Sequence, residues 1–260
     1  MAVTLATNAL VMFALMTALW IIATRLRDVS IIDCCWGAAF VVVAWVSMTL
    51  NRPASARMLL LAGVTTVWGM RLSLYLLWRK WGHAEDRRYQ AMRDHHGPRF
   101  WWISLFTVFL LQGLLVWFVA LPLQSAAVIA SHAPLGGLDA CGAALWLIGF
   151  IFEAGGDWQL VRFQANPANR GRVLDRGFWR YTRHPNYFGD FCVWWGLYAM
   201  AAAGGAWGTI LSPVVMSVLL LMVSGVALLE KSIGERRPEY AEYVRRTNAF
   251  IPGPPRDRDA

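Results

Sequence analysis

Long apolar runs separated by short polar connectors make up most of this chain. A helix needs roughly 17–25 predominantly apolar residues to cross a bilayer. Windows of that kind lie near residues 5–24, 30–50, 57–78, 101–122, 138–161, 187–203 and 209–229. The pattern predicts an all-α, polytopic membrane protein with seven transmembrane helices. Charge alternates between the connectors. Those around Arg25 and Arg27, Arg79–Arg99 and Arg162–Arg183, with the tail from Lys231 onward, carry nearly all the basic residues. The alternate connectors hold Arg52 and Arg57 in the first and no Lys or Arg in 123–137 or 204–208. Basic loops stay on the cytoplasmic side, so the N-terminus is expected outside and the C-terminus in the cytoplasm.

Composition agrees, with 57% hydrophobic residues and 15 Trp to occupy lipid–water interfaces. The net charge of +8 lies in short loops between spans. Topology and an anionic ligand account for it better than nucleic acid, which is not expected as a partner. Cys34, Cys35, Cys141 and Cys192 lie in or beside apolar spans without metal-ligand spacing, so neither a disulfide nor a metal is expected. The N-terminal run lacks a basic flank and reads as a retained first helix, not a cleaved signal. There is no Walker loop, GxGxxG or HExxH, so a dinucleotide site here is not Rossmann-type.

Polar residues inside the spans narrow the chemistry. Asp33 falls a turn inside the second helix and must face the bundle interior, where catalysis and a bond to a neighbouring helix or Arg71 explain it equally well. Arg71 and Tyr75 share a face of the third helix. The loop Arg79–Arg99, with Glu85-Asp86-Arg87-Arg88-Tyr89, reads as a solvated, amphipathic interfacial helix with internal ion pairs. Glu153 and Asp157 lie four apart on the fifth helix with Gly155-Gly156 between them, and a ligand role is favoured over a structural one. The polar residues are densest in Arg180-Tyr181-Thr182-Arg183-His184-Pro185-Asn186-Tyr187-Phe188-Gly189-Asp190. Pro185 keeps His184 out of the α region and starts a helix, whose N-terminal donors face this cluster as an anion site. The tail with Tyr240, Tyr243, Arg245 and Arg246 is expected to fold back as an amphipathic helix over the cytoplasmic mouth. Arg suits phosphates, Asn and Asp suit an amide or ribose, and Trp179, Tyr181 or Tyr187 suits a flat ring. A nucleotide with an anionic tail and an apolar co-substrate arriving from lipid would use such a pocket.

The motif Arg-His-Pro-Asn-Tyr-x-Gly-Asp closely resembles the C-terminal signature of the steroid 5α-reductase family and of sterol reductases. A looser form occurs in isoprenylcysteine carboxyl methyltransferases and phospholipid methyltransferases. The stretches Arg27-Asp28-x-Ser-x-x-Asp33-x-x-Trp36-Gly37, Trp68-Gly-x-Arg71-Leu and Glu85-Asp86-x-Arg88-Tyr89 resemble the bacterial branch of that family. The resemblance implies residues 1–137 as a substrate side and 138–260 as a cofactor side within one membrane domain. It implies NADPH delivering hydride to a carbon–carbon double bond conjugated with a ketone, in a lipophilic, steroid-like substrate at the bacterial inner membrane. Asp157, Trp179, Arg183, His184, Asn186, Tyr187 and Asp190 would line the nicotinamide and ribose end, with Glu153 beside them. Arg172, Tyr243 and Arg246 would reach the phosphates. Animal steroid 5α-reductases use a second-helix glutamate and a third-helix tyrosine; this sequence has no Gln-Glu pair there, Asp33 occupies the corresponding region, Trp68 or Tyr75 is the aromatic option, and Asp33 with Tyr75 is favoured. A methyltransferase using S-adenosylmethionine is the main rival, disfavoured by Asn186, Tyr187, Asp190 and the abundance of arginine. An ion-coupled transporter with a path through Asp33, Glu153 and Asp157 is disfavoured by the absence of inverted symmetry.

Overall fold

Every regular element among the described residues is helical. The structure is a computed structural model that describes residues 1–129, 134–223 and 239–256. The first three helices follow the apolar windows closely: α1 (Ala2–Leu26), α2 (Ile31–Leu50) and α3 (Ala56–Lys80). Their ends have local causes. Arg27 stops α1 in the left-handed conformation (φ 55°, ψ 35°), its N–H returning to Ala23 and Thr24 carbonyls. The Ser55 hydroxyl accepts the Met58 N–H and starts α3.

The fourth span differs from the predicted 101–122. One nearly continuous helical stretch, with an apolar membrane-length window inside it, runs from Arg87 to Val119. It comprises α4 (Arg87–His96), a turn at Gly97, α5 (Phe100–Ser104), a π-helical segment (Leu105–Leu110) and α6 (Leu111–Val119). Polar α4 hides this early start from a hydropathy window. Beyond Ala120 a separate helix, α7 (Leu121–Ile129), occupies the predicted outer connector, with Gln124 donating to the Trp117 carbonyl at 2.8 Å across the break. Then come α8 (Gly137–Ala165), α9 (Pro185–Ala203), α10 (Leu211–Val218, continued by a π-helical Leu219–Val223) and α11 (Glu239–Arg246). The rest of the predicted window 209–229, from 224 on, lies outside the described residues.

Five of these stretches are long and apolar enough to cross a membrane: α1, α2, α3, Arg87–Val119 and α8. The chain is an integral membrane protein in a lipid bilayer.

The chain divides into two compact units, one of Met1–Gly136 with Ala201–Ser212, the other of Gly137–Met200 with Pro213–Ala260. In the first, α2 and α3 meet at Gly37 and Gly69: a Cβ at Gly69 would stand 2.5 Å from the Gly37 carbonyl oxygen. Ala44 and Ala62, seven residues along each helix, are fully buried. The Ala38 N–H donates to Ser73 Oγ at 2.9 Å nearby, and Asn8 of α1 donates to Ser47 of α2 at 2.8 Å.

In the second unit the glycines fall at seven-residue spacing on both partners: Gly142, Gly149 and Gly156 on α8, Gly189 and Gly196 on α9. Without side chains at these positions the two backbones approach directly. A Cβ at Gly149 would stand 2.5 Å from Gly189 O and 2.6 Å from Val193 N, and one at Gly196 2.6 Å from Gly142 O.

Candidate functional site

The stretches singled out in the first unit interlock. Asp33, on the first turn of α2, accepts from the Tyr89 phenol at 2.7 Å on one oxygen and from Arg88 at 2.9 Å on the other. Gln112 of α6 donates to the same phenol at 3.3 Å. The helix bonded to Asp33 is therefore α4. Arg71, the other partner considered from sequence, has its guanidinium 5.3 Å from the centre of the Tyr75 ring. Arg79 lies 5.5 Å from that ring on the same helix.

The connectors complete the lock. Glu85 accepts the Val29 N–H at 2.8 Å and a two-pronged contact from Arg93 at 2.8 and 2.9 Å. Lys80 pairs with Asp28 at 2.8 Å, and the Asp86 N–H donates to Ser30 Oγ at 3.2 Å. The loop expected as a solvated helical segment with internal ion pairs has the helix and the pairs, Arg93 with Glu85 and Arg88 with Asp86, but it also directs charges onto the start of α2. The sequence holds no local signal for this, since Asp33 and its donors are 55 and 56 residues apart.

Burial opposes ionisation of Asp28, but hydrogen bonds from Lys80 and Ser30 outweigh it and hold the carboxyl below the usual carboxylate range. Asp86 is likewise held low: burial opposes, and the Arg88 side chain and N–H prevail. A carboxyl whose folded-state pKa is depressed stabilises the fold above the unfolded pKa, and that contribution is lost as pH falls through the folded value. Thermal stability in detergent is thus expected to drop below about pH 4. Asp28→Asn should flatten that acid limb; an unchanged limb would contradict the assignment.

In the second unit the predicted cofactor residues gather around the start of α9. Pro185 occupies the first helical position, and the Phe188 N–H closes the first turn onto the His184 carbonyl at 3.0 Å. Asn186 donates to Asp157 at 3.3 Å, and its own oxygen accepts the Tyr187 N–H at 3.1 Å. Glu153 and Asp157 are buried on one face of α8, with Glu153 where Gly189 comes closest. His184 is buried and stacks on Tyr187 at 5.8 Å between ring centres, and Asp190 is half-buried one turn on from Asn186. Gly155 lies under the Phe178 ring and Gly156 against Pro185, so this small-residue patch receives the chain's own segments. The Trp179 indole donates to Gly156 O at 3.0 Å, and Tyr243 of α11 donates to the Trp179 carbonyl. Arg172 is exposed in the linker after α8.

The Arg183 guanidinium engages the tail. It donates to the carbonyls of Val244 (3.1 Å) and Thr247 (2.8 Å) at the end of α11. Sequence reasoning missed that contact and missed Thr182, whose hydroxyl donates to Phe250 O at 2.8 Å. Backbone carbonyls leave no trace in residue types. Among the described residues no cluster of His, Cys, Asp and Glu could hold a metal.

A family model described as a protein of unknown function, DUF1295, matches residues 19–247. An uncharacterized protein of Schizosaccharomyces pombe is 26% identical over 226 residues, covering 76% of this chain and 64% of the relative. The chain thus spans a little under two thirds of the length of that curated relative. No solved structure matches.

Proposed function

Since the chain belongs to the DUF1295 family, which includes steroid 5α-reductase-like proteins, we propose that it is a membrane-embedded, NADPH-dependent reductase of an enone in a lipophilic substrate. The observation that carries this reading is the pairing of Asn186 with Asp157 beside Trp179, which joins distant parts of the proposed nicotinamide and ribose end. Arg246 tests the fit of the cofactor. Its Nε–H is buried and has no acceptor among the described residues, and a phosphate oxygen is the partner such a donor accepts best. Asn186, Asp157, Tyr187, His184 and Asp190 would hold the nicotinamide and ribose, with Trp179 behind them. Arg246, Tyr243 and Arg172 would hold the phosphates.

Bound there, NADPH supplies hydride for the β-carbon of the enone. Negative charge then builds on the substrate's carbonyl oxygen, and a donor placed against it lowers the barrier. Asp33 with Tyr75 is the proposed donor set. To donate to a carbonyl, Asp33 would have to carry a proton and release the bond it accepts from Tyr89 or Arg88. The distribution of Lys and Arg supports seven spans with the cofactor side in the cytoplasm, and the resemblance to the bacterial branch supports an inner membrane.

Titrating the detergent-purified protein with NADPH, NADH and S-adenosylmethionine tests this. A ligand that binds only the folded state at a hundred times its Kd adds about 2.7 kcal/mol of stability. NADPH is expected to raise the melting temperature and Asn186→Ala to abolish the rise. Enones should then be consumed with NADPH. Stabilisation by S-adenosylmethionine alone would overturn the assignment.

A further inference from the structure

The contacts of Arg183 give it a role other than touching the cofactor. Its side chain is 9% exposed, and a buried guanidinium must be matched by acceptors. Two of them are carbonyls at the end of α11, which have no partner inside a helix and carry the negative end of its dipole. Neighbouring residues repeat the pattern. The Arg183 N–H donates to Asn248 O at 2.9 Å, and the Gly253 N–H donates to Tyr181 O at 3.1 Å. Thr182, fully buried, donates to Phe250 O. The Phe250 ring packs edge-on against Phe188 and Phe191 of α9. Farther out, the Arg256 N–H returns to the Arg246 carbonyl at 2.9 Å.

From these contacts we infer that Arg183 is a positioning residue, and that residues 247–256 form an arm it clamps against the Arg-His-Pro-Asn motif. The clamp fixes α11, so Tyr243 supports Trp179 and Arg246 presents its donor. The cofactor site is complete only with the arm in place. This inference rests on the proposed reductase reading, but the clamp itself is measurable without cofactor.

Amide hydrogen exchange of the full chain in detergent reads the arm, because exchange reports local opening. Arg183→Ala should speed exchange at Gly253 and Arg256 at least tenfold without ligand and weaken NADPH binding by a similar factor. Arg183→Lys, which keeps one donor, should recover part of both, and Arg170→Ala should change neither. Asn186→Ala should weaken NADPH binding while leaving arm exchange as in the wild type. Thr182→Val removes a single arm bond and keeps the clamp testable should Arg183→Ala misfold; severalfold faster exchange at Gly253 is expected. If Arg183→Ala, or Thr182→Val in its place, weakens NADPH binding with arm exchange unchanged, that residue acts on the cofactor directly and the inference falls. If the wild type binds no NADPH, the reductase reading fails, and the exchange rates alone decide whether the clamp exists.

Discussion

Gly149→Val should leave the unit built on α8 and α9 unable to fold. The first carbon of the new side chain would stand 2.5 Å from Gly189 O and 2.6 Å from Val193 N, both backbone atoms of a helix. No flexible side chain is there to yield, so the helices must separate along the seam. Overpacking a core costs about 1–3 kcal/mol and occasionally more. A branched side chain against backbone belongs at or beyond the upper end. Even Gly149→Ala should destabilise, although alanine improves helix propensity by about 1 kcal/mol. Gly63 of α3 is the control, since a Cβ there meets nothing within 4 Å. Thermal denaturation and size-exclusion profiles in detergent decide: a monodisperse Gly149→Val protein melting near the wild type would disprove the close seam.

The second large effect is expected at Asp33. Asp33→Ala strips the acceptor from Tyr89, which is 7% exposed, and from Arg88, whose side chain is about half exposed. Leaving the buried phenol unsatisfied costs about 1–3 kcal/mol. The exposed arginine adds less, since such pairs contribute about 0–1 kcal/mol. Tyr89→Phe should cost less than Asp33→Ala, and the double variant little more than Asp33→Ala alone. Strict additivity in that cycle would show that the two residues do not share a bond. Asp33→Asn separates structure from chemistry. A protein of near wild-type stability that has lost enone turnover would assign Asp33 to the reaction, whereas unimpaired turnover would leave it a lock between α2 and α4.

The helices were legible because each long apolar window is a local property of the sequence. Predicted spans 57–78 and 138–161 became Ala56–Lys80 and Gly137–Ala165, each extended by polar end turns that hydropathy undervalues. The break at Ala120 was not legible, because both sides of it are equally apolar. Asp157 and Asn186 were readable as residue types, whereas the seven-residue glycine spacing on α8 and α9 takes its meaning only from the close approach of the two helices. The partners of Asp33 and Arg183 were hidden for different reasons. Asp33 reaches across 55 residues to a helix whose charges look like ordinary surface. Arg183 binds main-chain carbonyls, which every residue possesses.

The discontinuity of the first unit bears on biogenesis. Residues 201–212 belong with helices made well before them, and α8 with nearly all of α9 is synthesised in between. Domains that are continuous in sequence can fold in turn as they leave the ribosome. Here the first unit is complete only once residues 201–212 have been made. Neither unit can therefore be expressed as one uninterrupted fragment, and splitting the gene at Gly136 should yield halves that assemble only when made together.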